Sequence, residues 1–257
     1  MGSTIAGGWS LRLLGRWELL QGAEVVRVGS RQQRLLTVLG LRGPLSRGGA
    51  AGLLWPDTSE TRSSGSLRTC VYEIAHRHPG VMVSTSERLA LGDDVAVDVA
   101  AVRRLIDEIR ANHDATGPID AVQTLAGADL LPGWYDDWII YAQEALAQDR
   151  LAALETLARC HLERGEADGA IRAAGSAIAI EPLRESAHLL LVRGHLLAGN
   201  YASAVRAQEH IRRLLWDELG VDLDPLFDEL VTRARPSVPT TADIHAALPV
   251  RRGRVRG

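Results

Sequence analysis

The sequence predicts a mainly α-helical chain with a small β component, and three observations carry that prediction. First, residues 160–173, CHLERGEADGAIRA, recur at 194–207 as GHLLAGNYASAVRA, an offset of 34 residues. His161, Leu162, Gly165, Ala170, Arg172 and Ala173 align with His195, Leu196, Gly199, Ala204, Arg206 and Ala207, and Leu157 with Leu191 extends the match upstream. That period belongs to helical-hairpin arrays of the tetratricopeptide type. A hairpin of this kind buries its apolar face only by stacking on the next, so the array offers a partner surface more often than a reaction pocket. Second, three strand-length segments, punctuated by glycine, open the chain. Third, three helical segments and a short hairpin follow those strands.

Taken in order, Ser10–Leu14, Arg16–Leu20 and Glu24–Val28 read as antiparallel strands, with Gly15, Gly22 and Gly29 between them. Ser30 offers an N-cap to a helix with apolar residues at 35, 36, 38, 39 and 41, ending near Gly43-Pro44. A second helix is expected over Ser46–Leu54, stopping before Pro56. The third runs from Ser59 to His76, with Leu67, Cys70, Val71 and Ile74 on one face. Arg62, Arg68, Thr69, Tyr72, Glu73 and His76 fall on the other. VMVS and RLAL, either side of Thr85-Ser86-Glu87, make a hairpin. This is the element order of a winged helix-turn-helix, in which the third helix enters the major groove and the hairpin touches the flanking backbone.

Beyond Asp94 the pattern is helical. Helices are expected at Ala96–Ala111 (capped by Asp98 or a neighbour), Ile119–Ala126, from the LLPGWYDDW turn at 130–138 to Glu163, and near 167–180, 183–198, 201–217 and 225–234. Residues 112–118 read as a polar joint. Residues 1–8 are read as a tail, 9–95 as the winged-helix unit, 96–235 as the helical-repeat unit and 236–257 as a disordered Arg-rich tail.

The chain has 257 residues, with 46% hydrophobic and 24% charged, as a water-soluble folded protein requires. No apolar run reaches membrane-spanning length, and the first residues lack a basic stretch followed by an apolar one, so no span and no signal peptide are expected. The reading is cytoplasmic. Cys70 and Cys160 are expected to be buried thiols. The net charge of −3 is unevenly laid out: residues 31–88 hold eight Arg against four acids, while 99–235 hold 14 Arg against 22 acids. A basic unit joined to an acidic one suits a DNA reader carrying a protein-contacting module, and mere charge scatter is the alternative. Lysine is absent from the sequence, which excludes a phosphate loop ending in Gly-Lys-Ser/Thr.

The sequence resembles the Streptomyces antibiotic regulatory proteins (SARPs), short activators with a winged helix of the response-regulator output type followed by a bacterial transcriptional activator domain. The resemblance rests on LRLLGRWEL, RQQRLLTVLGL, LLWPD at 53–57, SLRTCVYEI at 66–74, LLPGWYDDW at 130–138 and the long stretch EPLRESAHLLLVRGHLLAGNYASAVRAQEHIRRLLWDELGVDLDP at 181–225. It implies a transcriptional activator of an antibiotic biosynthetic cluster. It further implies binding to promoter direct repeats in double-stranded DNA, contact with RNA polymerase, and pairing of protomers head to tail.

The DNA-contact candidates are Arg62, Arg68, Thr69, Tyr72 and His76 on the third helix and Arg88 in the hairpin. Arg grips a phosphate or a guanine edge bidentately, and Thr touches a phosphate or a thymine methyl. The resemblance places the Arg after Ser-Leu, Arg68, at a DNA-contacting position. The alternative for all of them is a solvated helix face. Arg31 and Arg34 are weaker candidates for phosphates. Asp57 and Glu60, between the second and third helices, are candidates for polymerase contact, with Asp57 or Ser59 as a cap of the third helix the alternative. His161 and His195, at equivalent repeat positions, read as packed rings rather than metal ligands. Asp136-Asp137 suit a helix N-terminus, and Trp134, Trp138 and Trp216 read as core. The sequence offers no catalytic constellation, dinucleotide loop or metal spacing, so neither an enzyme nor a cofactor is expected. The helix after Ile74 continues Ala75-His76-Arg77-His78-Pro79, a thin basic face. That leaves a protein-interaction module with a degenerate winged helix as the alternative function.

Overall fold

The computed structural model describes residues 8–111 and 120–235. The tails expected at 1–8 (apart from Gly8) and 236–257, and the joint expected at 112–118, lie outside the described residues. Three short strands, β1 (Trp9–Arg12), β2 (Glu18–Gln21) and β3 (Glu24–Val26), form an antiparallel sheet. The sequence had not suggested a fourth member, β7 (Ala96–Val97), which lies parallel to β1 and pairs Ser10 with Ala96 and Leu11 with Val97. A two-residue strand carries too little alternation to be recognised before its partner is known.

Three helices packed on one another follow, α1 (Ser30–Arg42), α2 (Arg47–Leu54) and α3 (Glu60–Arg77). Helix α1 begins at Ser30 with Gly29 as its N-cap, one residue earlier than expected. Ser46 caps α2 as a short polar side chain should, its Oγ accepting from the Gly49 amide at 3.1 Å. A second sheet, in the order β4 (Leu45–Ser46), β6 (Arg88–Leu91), β5 (Met82–Ser84), makes the wing. Strand β4 is again too short for the sequence to reveal.

The remainder is helical: α4 (Asp98–Ala111), α5 (Ala121–Ala126), α6 (Asp137–Glu163), α7 (Ala167–Ile180), α8 (Glu185–Leu197), α9 (Tyr201–Leu219) and α10 (Leu226–Arg233). The 34-residue repeat appears as two equivalent helix ends. Gly165 (φ 75°) follows α6 and Gly199 (φ 72°) follows α8, in the left-handed region that a Cβ disfavours. Each turn is closed by an amide returning to the repeated histidine, Glu166 to the His161 carbonyl and Asn200 to the His195 carbonyl, both at 2.8 Å.

One hydrophobic core runs from Leu11 and Leu19 of the sheet through Leu35, Leu67 and Ile74 of the front helices. It continues through Val102 and Ile106 of α4 into Leu154 of α6 and Ala177 of α7. A smaller core of Val192, Ile211, Leu215 and Phe227 lies under α10. The two units are also stapled by backbone. Leu14 bridges Leu130, the Leu131 amide donates to the Leu13 carbonyl at 2.9 Å, and the Gly15 amide donates to the Asp129 carbonyl at 2.7 Å. Asp98, the first residue of α4, accepts from the Val99 amide and from the Leu13 and Leu14 amides just beyond β1, all at 2.8–3.0 Å. One carboxylate thus starts the helical unit and ties it to the strands.

Candidate nucleic-acid interface

Helix α3 divides cleanly. Ser63, Leu67, Cys70, Val71 and Ile74 are buried, and Arg62, Arg68, Thr69, Tyr72 and His76 are exposed. The 100° step per residue sets the two groups on opposite sides. Tyr72, at 62% exposure, is too open to be a core aromatic. Its ring stacks obliquely on that of His76 with centroids 4.0 Å apart, and His76 Nδ1 lies 3.1 Å from the Tyr72 carbonyl. A carbonyl only accepts, so Nδ1 carries the proton in that bond. Nε2 is then the lone-pair nitrogen of the neutral ring. Thr69 Oγ1 returns to the Gly65 carbonyl at 3.2 Å, and Arg68 Nε approaches the Ser64 carbonyl at 3.4 Å. Both side chains lie along the helix, Arg68 with further N–H donors to offer and Thr69 with its hydroxyl lone pairs.

Glu73 departs from the expected outer face. It is half-buried, hydrogen-bonded by the Gln32 side chain of α1, and so turned away from any ligand of that face. Burial raises the Cys70 thiol pKa, with Glu73 adding to the rise. A protonated, inert thiol behind the helix is the consequence.

Arg88 is exposed on the wing, paired in register with Ser46 of β4. Asp57, between α2 and α3, and Glu60, which opens α3, are both exposed. Ser59 occupies the N-cap position of α3, but its side chain makes no capping hydrogen bond. Arg34 is corrected: its guanidinium pairs with Asp136 at 2.5 Å across the two units, and is not presented to a phosphate. Asp136 therefore serves the junction rather than capping α6 with its side chain. Trp138 is buried and Trp134 packs partly against the core, but Trp216 is 61% exposed, against expectation. It lies on α9 and takes no part in the small core under α10. His161 packs as expected of a repeat-lattice ring and adds a 2.6 Å bond to Glu166. Among the described residues no cluster of three His, Cys, Asp or Glu suits a metal. None of their helices is long and apolar enough to cross a membrane.

Residues 97–235 match the family of the bacterial transcriptional activator domain. The chain belongs to that family. Its SARP-type build extends to the winged helix in front. The chain is similar to the regulatory protein AfsR of Streptomyces coelicolor, 29% identical over 254 residues, which is 94% of this chain and 26% of that protein. It is likewise similar to the AfsR of Streptomyces griseus, 30% identical over 237 residues, 86% of this chain and 24% of that one. The chain thus spans about a quarter of the length of these curated relatives. A solved structure of Mycobacterium tuberculosis EmbR, in complex with a low affinity phosphopeptide, superposes with a TM-score of 0.69. It is 19% identical and covers 93% of this chain and 69% of that one, a likeness of fold.

The residues that sequence reasoning missed in this SARP-type chain are those whose role depends on distant partners. Arg47 was unremarked and Arg34 was assigned outward. An arginine in a basic stretch carries no local mark telling whether it meets its own chain or a ligand.

Proposed function

We propose that this SARP-type chain is a sequence-specific DNA-binding transcriptional activator, acting in the cytoplasm at the nucleoid rather than as an enzyme. One observation carries the reading: the outer face of α3 stays open along its length while the opposite face anchors the domain. In this reading α3 enters the major groove of double-stranded DNA. Arg68 grips a base edge or phosphate, and Arg62, Thr69, Tyr72 and His76 supply flanking contacts. Arg88 of the wing reaches the neighbouring backbone. Asp57 and Glu60 face basic surfaces of RNA polymerase, the helical repeats brace the reader, and protomers pair head to tail on promoter direct repeats. The resemblance supports an antibiotic biosynthetic cluster as the target.

Gel-shift titration against promoter and random duplexes across a salt series tests this. With about 4–6 phosphates neutralised, log affinity falls against log salt with a slope of about −4 to −5. Arg68→Ala is expected to cost about 1–3 kcal/mol of binding to the promoter site. Full affinity in that variant removes Arg68 from the interface. One feature favours the second reading, a protein-interaction module: the basic face of α3 is thin, with Gly65 between Arg62 and Arg68 and no arginine between Arg68 and Arg77. Absence of any shift at low salt selects that reading.

A further inference from the structure

The turn of the wing is held by an arginine that a reading of the basic stretch would count among the phosphate ligands. Arg47, the first residue of α2, is half-buried. Its amide donates to the Glu87 carbonyl at 3.0 Å. Its Nε donates to the Thr85 carbonyl at 2.9 Å, and its Nη2 to Ser84 Oγ at 2.7 Å. The guanidinium thus reaches the β5 side of the β5–β6 turn, while the Arg47 backbone amide holds its far side at Glu87. Within that turn Thr85 Oγ1 accepts from the Arg88 amide at 3.0 Å, and the Thr85 amide donates to the Arg88 carbonyl at 2.9 Å. Arg88 follows directly, opposite Ser46. Strand β6 also packs on α1 and β5 on α3, so what Arg47 adds is a tie from α2 to the turn itself.

We infer that Arg47 is a positioning residue, which fixes the wing turn to α2 and so sets where Arg88 points relative to α3, rather than a ligand of DNA. The planar fork is what the task needs. Two donors at a fixed angle reach a carbonyl and a hydroxyl together, which a lysine ammonium on a flexible stem does not reproduce. Since α2 packs on α3, a wing fastened to α2 keeps a constant distance from the outer face of α3. Without that fastening the turn at 84–88 would be freer to move than the strands it joins, and each Arg88 contact would then carry an ordering cost.

The inference rests on the DNA-reading proposal only in its second arm. The first arm uses the full chain without DNA. Arg47→Ala is expected to speed amide exchange across 84–88 by about 3- to 10-fold, the scale of lost hydrogen bonds, with exchange in α3 unchanged. Arg47→Lys behaves as Arg47→Ala, and Ser84→Ala gives a smaller effect without touching the charge. Unchanged exchange at 84–88 in Arg47→Ala overturns the clamp, whatever the protein binds. The second arm is a double-mutant cycle in gel shift on a promoter duplex. Arg47→Ala weakens binding by about 3- to 10-fold in the parent, and by less than about twofold in an Arg88→Ala background. Losses that simply multiply show Arg47 touching DNA on its own account and also overturn the assignment. A parent that shifts no duplex sinks the DNA-reading proposal, while the exchange arm still decides the clamp.

Discussion

His188 shows how a single ring can set the pH response of this molecule. Buried on α8, it bonds through Nε2 to the Pro182 carbonyl at 2.9 Å, while its buried Nδ1 has no partner. The Nε2–H tautomer satisfies that geometry, and a second proton on Nδ1 would meet nothing. Burial accordingly lowers its pKa below the ordinary 6.5, the Pro182 bond opposes, and His210 adds to the lowering. His195 and His78 are lowered in the same direction, first by burial and then by Arg206 and Arg77 respectively. The unfolded chain binds protons more readily than the folded one between the depressed pKa values and 6.5. Stability is therefore fully present above that value and falls as pH drops below it. Thermal melts across pH should show a midpoint flat above neutrality and declining from about pH 6.5 downward. His188→Gln should flatten part of that decline, and a decline of equal size in the variant contradicts the assignment. Glu155 adds a later loss. Burial pushes its pKa up, but bonds from Arg184 and Ser186 outweigh this and hold it below 4.5, so its contribution goes only as pH falls through that lower value. Gly169 is set by another ring. A Cβ there would lie 2.4 Å from His161 Nδ1, itself fixed by Glu166. Gly169→Ala should cost about 1–3 kcal/mol in urea unfolding despite the better helix propensity of alanine. His161→Ala should restore most of it. The repeat alignment marked His161, but nothing local marked Gly169 as its counterpart.

Among the elements, α5 depends on a residue outside itself. This short helix ends at Gly127, where the Leu125 carbonyl accepts a long 3.4 Å bond from the Ala128 amide. Arg150 of α6, only 3% exposed, donates through Nε to the Leu125 carbonyl at 2.6 Å and through Nη2 to that of Ala126 at 2.9 Å. It also pairs with Asp129 at 2.7 Å. Since Asp129 is largely exposed, its charge remains solvated without the pair, and the main loss in Arg150→Met is the two carbonyl bonds. That variant should lose about 2–3 kcal/mol in urea unfolding. Local exchange should rise first in α5 and the segment to Asp129. A loss confined to α9 and α10 would contradict this account. The helices were legible because apolar spacing is a local property: the third helix expected over 59–76 is α3 at Glu60–Arg77, and the repeat units end where their glycines fall. Strands β4 and β7 were not legible, because a two-residue strand exists only by virtue of its partner.

For the whole molecule, the two units share one core and are joined by β7, by Asp98 and by the Arg34–Asp136 pair. Both members of that pair are about 70% buried, so its worth exceeds that of a surface bridge. Arg34→Ala should cost about 1–3 kcal/mol, shifting the melting midpoint by a few degrees. Asp136→Ala should cost little more when Arg34 is already gone. Fully additive losses would show the two acting independently. The sequence by itself determined the order of the helices, the repeat, the inward face of α3 and, Glu73 apart, the residues on its outward face. Each follows from local periodicity, which the tertiary fold has no means to alter without unburying a helix. Only the tertiary structure decided which arginines face the protein and which face solvent. A guanidinium is the same group beside a carboxylate, a turn or open water, and what lies beside it at a separation of 102 residues, as for Arg34 and Asp136, is fixed by packing alone.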